Sequence, residues 1–79
     1  MDVRQLRYFS AVAADLHFSR AAARLGISVA TLSRSIRAVE SALGAQLFVR
    51  KTKSAVSLTH VGQRFLEEAR TAIKQDRTC

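Results

Sequence analysis

Hydroxyls and guanidinium groups crowd one stretch of this chain: Ser19, Arg20, Arg24, Ser28, Thr31, Ser33, Arg34, Ser35 and Arg37 all fall within twenty residues, from Phe18 to Arg37. This is the chemistry of hydrogen bonding and ion pairing, not of bond making. A guanidinium fork grips a phosphate or a guanine edge with two bonds, and a serine hydroxyl both donates and accepts. The reagents of catalysis are missing from the sequence. His17 and His60 stand 43 residues apart, there is no cysteine pair to hold zinc, and no glycine-rich phosphate loop occurs. Glu67 and Glu68 are adjacent, so they fall on different parts of a helix face and read as solvated or ion-paired. The chain is expected to be no enzyme, with no cofactor, no metal and no small-molecule site.

The charge balance points to a class of partner. The formal net charge is +7, and between Asp15 and Glu67 the one acidic residue is Glu40, against eight basic ones. Such one-sided charge costs self-repulsion, which a bound polyanion screens. With 79 residues and 48% hydrophobic content the chain makes one small folded domain rather than a disordered segment. A single cysteine, Cys79, excludes an intramolecular disulfide and fits a reducing cytoplasm. No apolar run approaches the roughly 20 residues of a membrane span, and no signal peptide is expected, so a cytoplasmic protein without membrane contact is predicted.

The elements that must position these residues are legible in the hydrophobic spacing. Leu6, Phe9 and Ala13 recur at helical spacing and predict a first helix over about residues 3–14, with Asp2 near the positive end of its dipole. Ser19 reads as the N-cap of a second helix ending near Leu25, in which three alanines at 21–23 permit close packing. Gly26 and Ile27 turn the chain, and Ser28 caps a third helix over about 29–43. There Val29, Leu32, Ile36, Val39 and Leu43 form one apolar stripe, with Ala30, Arg34, Arg37 and Ser41 near the opposite pole and Ser33 on the flank. Gly44 ends that helix. The segments 47–50 and 55–58 then read as a two-stranded hairpin whose cationic turn, lacking Asn-Gly chemistry, is expected to be loose. Thr59 caps a fourth helix with Val61, Phe65, Leu66, Ala69 and Ile73 as its apolar side and Arg64 facing Glu68 at i,i+4. The order helix, helix, helix, hairpin, helix predicts a mainly α fold, a winged helix-turn-helix, with the third helix shaped for the major groove of DNA.

The chain resembles the N-terminal DNA-binding domain of LysR-type transcriptional regulators. The resemblance is carried by Leu6-Arg7-Tyr8-Phe9, Phe18 to Ala22, Leu25, Leu32 to Ile36, Leu43-Gly44, Leu47 to Arg50, and Leu58-Thr59 followed by Gly62. It implies a homodimer or tetramer on a roughly palindromic operator, the third helix reading the major groove, the wing touching the minor groove or backbone, and the fourth helix pairing two subunits. It also implies a division into a DNA-binding domain at 1–58 and a linker or dimerisation helix and tail at 59–79, with the family's effector-sensing domain absent. Where family members commonly carry Gln-Pro after the serine cap, this chain has Val29 and Ala30, and valine offers a base only apolar contact, such as a thymine methyl. Leu16-His17 also replaces the small or polar residues usual before the phenylalanine.

The expected DNA-binding residues are thus Ser28, Val29, Ala30, Thr31, Ser33, Arg34 and Arg37 of the third helix, Ser19 and Arg20 at the start of the second, and Arg50, Lys51 and Lys53 of the wing. Val29 is expected to face the groove rather than the core. Phe65, Leu66, Ala69 and Ile73 are the expected dimer contacts. The alternative is a winged helix that docks a protein or binds RNA. Against it, a docking helix needs apolar anchors where Arg34 and Arg37 stand, and RNA recognition needs exposed aromatics, whereas Tyr8 is expected to lie far from the basic helix.

Overall fold

Asp2 opens the first helix by a reciprocal cap. Its carboxylate accepts from the Gln5 backbone N–H at 2.9 Å while the Gln5 side chain accepts from the Asp2 N–H at 3.2 Å. In the computed structural model, which describes residues 2–77 and the side chains of 2–71, this helix is α1, Val3–Asp15. It is followed by α2 (Phe18–Leu25), α3 (Val29–Leu43), strands β1 (Phe48–Arg50) and β2 (Val56–Leu58), and α4 (His60–Arg77). The mainly α winged helix-turn-helix predicted from the spacing is the fold observed. Among the described residues, no helix is long and apolar enough to cross a membrane.

Helix α1 is the hub, packing on α2, α3 and α4. Its Phe9 is fully buried and stands edge-on to Phe65 of α4 at 5.0 Å and tilted on Phe48 of β1 at 5.3 Å. Phe48 in turn meets Phe18 of α2 at 6.2 Å. Offset and edge-on rings of this kind add to their area burial. Ala21 and Ala22 are buried against these neighbours, as small side chains at a close helix crossing must be. From α3 the centre of the stripe, Leu32, Ile36 and Val39, enters the core. Its two ends do not: Val29 is 44% and Leu43 40% exposed, because each lies a turn beyond the helices that cover the middle.

Several local expectations are corrected. Helix α2 starts two residues earlier than expected and its cap is His17, whose Nδ1 accepts the Arg20 N–H at 3.2 Å; Ser19 lies inside the helix. An extended His17 suits this role because the chain reaches it from Leu16, held in the left-handed region at φ 51°. The hairpin turn is closed rather than loose. Lys51 and Thr52 N–H both donate to the Ala55 carbonyl, and the Thr52 hydroxyl accepts the Ala55 N–H at 3.1 Å, replacing the missing glycine chemistry. On α4, Val61 is 42% exposed and does not join the apolar side.

The wing is docked as well as closed. The strands pair Phe48 with Leu58 and Arg50 with Val56, antiparallel. Beyond them Phe18 N–H donates to the Ser54 carbonyl, Val56 N–H donates to the Leu16 carbonyl, and His17 forms a bridge with Ala55. On the other side, the Glu40 carboxylate accepts the N–H of buried Leu47 at 2.7 Å, tying the end of α3 to the start of the hairpin. Thr59 caps α4 as expected, accepting the Gly62 N–H at 2.9 Å. Gly62 has no room for a side chain, since a Cβ there would overlap the Leu47 carbonyl oxygen.

Candidate nucleic-acid interface

The sequence puts the small and cationic residues of α3 opposite its buried stripe, and the tertiary structure leaves that side open. Val29, Ala30, Arg34 and Arg37 are all exposed. Ser28 caps the helix, its Oγ accepting the Thr31 N–H at 3.1 Å while its hydroxyl donates to Thr31 Oγ1 at 2.9 Å. Ser28 and Thr31 are thereby tied to one another at the first turn. Lys51 and Lys53 of the wing are exposed, and a groove of about 170 Å³ between α3 and the wing has walls that include Ser33, Arg37, Glu40, Gln46 and Arg50. Among the described residues, no ion pair engages Arg34, Arg37, Lys51 or Lys53. Arg24 differs: its guanidinium is paired with Asp15 at 3.1 Å and bonds the Ala11 carbonyl, so it ties α2 to α1.

Arg50 is placed differently from the other wing cations. Its guanidinium lies over the Phe18 ring, 4.9 Å from the centroid, and donates to Ser33 Oγ at 3.3 Å. The structure thus brings together Ser33 and Arg50, two residues separated by sixteen others in the chain. It also brings Ser19 to the wing, hydroxyl to hydroxyl with Ser54 at 2.9 Å. Arg20, next along α2, is exposed.

A second groove, of about 310 Å³, was not expected. It runs between the first turns of α1 and α3 and is walled by Arg4, Tyr8, Thr31 and Ser35. Tyr8 is therefore beside the basic helix, not far from it. The signal was available in part, since Arg4 and Tyr8 share one face of α1 and Thr31 and Ser35 one face of α3, each at i,i+4. Which two faces meet is set only by how the helices cross. Glu40 was likewise visible as the lone acid of this region, but its role as the Leu47 anchor was not.

The expected dimer contacts need a correction. Ala69 is 2% exposed and Phe65 stands edge-on to Phe9, so both pack in the chain's own core, where α4 covers α1. Leu66 is half-buried against the same core, and Ile73 lies outside the residues whose side chains are described. The apolar surface left open beside them comes from Leu43 and Val61.

Two helices joined by the Gly26–Ile27 turn, a third packed across them and a hairpin clasped to their side define a winged helix-turn-helix with a cationic outer face. The chain belongs to the family described as bacterial regulatory helix-turn-helix protein, lysR family, which it matches over residues 3–63. It is 55% identical over 73 residues to the HTH-type transcriptional regulator IlvR of Caulobacter vibrioides, a match that covers 92% of this chain and 24% of that protein. To the regulator XapR of Escherichia coli it is 54% identical over 69 residues, 87% of this chain and 23% of that one. The chain thus spans about a quarter of the length of these relatives. Among solved structures it is similar to the DNA-binding domain of CbnR in complex with DNA, with a TM-score of 0.91, 38% identity, and 96% of this chain and 86% of that chain covered. It is also similar to the DNA-binding domain of BenM with its catB site 1 DNA, with a TM-score of 0.88, 37% identity, and 95% and 82% of the two chains covered.

Proposed function

We propose that this chain binds double-stranded DNA in a sequence-specific way as the DNA-reading part of a transcriptional regulator, in a bacterial cytoplasm and without catalysis. Helix α3 enters the major groove with Val29, Ala30, Ser33 and Arg34 toward the base edges and Arg37 toward phosphate. Lys51 and Lys53 of the wing lie on the backbone or minor groove, and Ser19, Arg20 and the Ser28–Thr31 turn face flanking phosphates. Residues 1–58 read the DNA and 59–79 carry the joining helix. The observation that carries this reading is the exposed outer face of α3, small enough at Val29 and Ala30 for close approach and, among the described residues, without an ion pair at Arg34 or Arg37. Its likeness to domains solved on DNA supports the same reading.

Two copies on two half-sites about one helical turn apart complete the proposal, as expected for helix-turn-helix dimers. Because Phe65 and Ala69 are engaged within one chain, pairing falls to the outer side of α4, with Val61 and Leu43 at its edge. Pairing of this kind falls off on dilution and is strengthened by DNA that carries two half-sites.

Selection of bound duplexes from a random pool tests function and reports the site at once. Enrichment of a two-fold symmetric motif is the expected result. Because Tyr8 borders α3, the same protein is also titrated against single-stranded and duplex RNA. Duplex DNA is expected to win that competition; preferential capture of RNA, or no enriched motif, overturns the reading.

A further inference from the structure

We infer that Arg50 determines specificity by positioning Ser33: held on the Phe18 ring, it donates to Ser33 Oγ and biases the Ser33 hydroxyl toward donating to the bound base edge. The inference rests on the reading of α3 as the major-groove helix. Three constraints fix the guanidinium. The Arg50 backbone is paired with Val56 in the hairpin, the guanidinium carbon lies 4.9 Å from the ring centroid of Phe18, a residue 3% exposed, and Nη2 is 3.3 Å from Ser33 Oγ. A planar, delocalised cation fits between ring and hydroxyl, whereas an ammonium supplies neither the plane nor the fork.

The consequence is electronic. A serine hydroxyl has one hydrogen to give and two lone pairs to receive with. Arg50 occupies one lone pair, and its positive charge polarises the hydroxyl, which strengthens the O–H as a donor and weakens the second lone pair as an acceptor. Among the described residues Ser33 Oγ has no other hydrogen bond, which leaves that hydrogen for the outer side of α3, next to exposed Arg34. In the major groove, purine N7, guanine O6 and thymine O4 accept, while cytosine presents only its N4 donor. Ser33 so directed disfavours cytosine at the base it meets. Freed from Arg50, the hydroxyl rotates and both donates and accepts, and the preference disappears.

The test places cytosine at each position of the selected site in turn and measures binding of the wild type, Ser33→Ala, Arg50→Met, Arg50→Lys and the Ser33→Ala/Arg50→Met double variant, with thermal midpoints to confirm folding. The wild type is expected to reject cytosine at one position per half-site by about three- to tenfold, the range of a single net hydrogen bond. Ser33→Ala and Arg50→Met each flatten that position and no other, and the double variant is no flatter than either. Arg50→Lys flattens it too, although it keeps the charge and the salt dependence. The inference is overturned if Arg50→Lys retains the wild-type profile. It is also overturned if Arg50→Met weakens binding equally at every position and makes the salt slope shallower by about 0.9, the mark of a phosphate contact. An even loss in Ser33→Ala puts that hydroxyl on phosphate and overturns it as well. A wild type that binds no duplex brings down the reading of function itself, whereas one that binds its site with a profile unchanged in Arg50→Met brings down this inference alone.

Discussion

Val29 occupies the first turn of α3 with 44% of its surface open, at a place where its methyls meet solvent rather than the core. That exposure argues against the packing role its position on the apolar stripe suggested and supports the proposal that it faces the groove. Val29→Gln is expected to shift base preference at one position per half-site from thymine toward adenine, by about 1–3 kcal/mol, because a side-chain amide pairs with adenine N6 and N7. Its thermal midpoint should stay within a degree or two of wild type, since little buried surface is lost; an unaltered selected site with a lowered midpoint would place Val29 in the core. Arg34, one turn on and opposite Leu32 and Ile36, should behave as a contact without a structural role. Arg34→Ala is expected to weaken specific binding by about 1–3 kcal/mol in a fluorescence titration while the far-ultraviolet circular dichroism is unchanged.

At the scale of elements, the joints matter more than the elements they join. Helix α4 crosses the start of the hairpin at Gly62, where a Cβ would run into the Leu47 carbonyl and lie 3.0 Å from Leu58. Alanine is the better helix former, so a free helix would gain from Gly62→Ala. Here overpacking dominates, and a net loss of about 1–3 kcal/mol is expected, read as a drop of several degrees in thermal midpoint. The α3 to β1 joint depends on Glu40 in the same way. Glu40→Ala leaves the buried Leu47 N–H without its partner and is expected to cost about 1–3 kcal/mol in chemical denaturation, whereas Glu40→Gln keeps an acceptor and should cost less. Equal losses in the two variants would assign the stabilisation to the charge and not to the bond.

For the whole molecule the governing quantity is the +7 charge, to which α3 and the wing contribute Arg34, Arg37, Arg50, Lys51 and Lys53. With about three phosphate contacts on each of two copies, the slope of log K against log salt is expected near −5 or steeper, at about −0.9 per contact. Titrations of a selected duplex between low and physiological salt measure it directly. A slope near zero would mean that the cationic face lies away from the DNA. Two of the few acidic groups anchor joints: Asp15 pairs with Arg24 between α1 and α2, and Glu40 accepts the Leu47 N–H between α3 and β1.

What the sequence by itself determined is what depends on a few consecutive residues. The Ser28 and Thr59 caps, the Gly44 terminus, the bounds of α3 and the change of period at the hairpin are set by interactions reaching no further than one helical turn, so spacing alone revealed them. The family was legible for the same reason, its motifs being local runs. Only the tertiary structure decided the rest. His17 outranked Ser19 as a cap because the wing holds it extended against Ala55, after a left-handed Leu16 whose carbonyl accepts from Val56. Ser19 met Ser54 across 35 positions and Arg50 met Ser33 across 17, distances over which sequence spacing carries no phase. Tyr8 came to border α3, and Phe65 and Ala69 turned inward, because helix crossings choose which of several possible faces is covered. The sequence supplied the cations and hydroxyls of the interface; the crossing of α3 with the wing decided which of them bind outward and which hold one another.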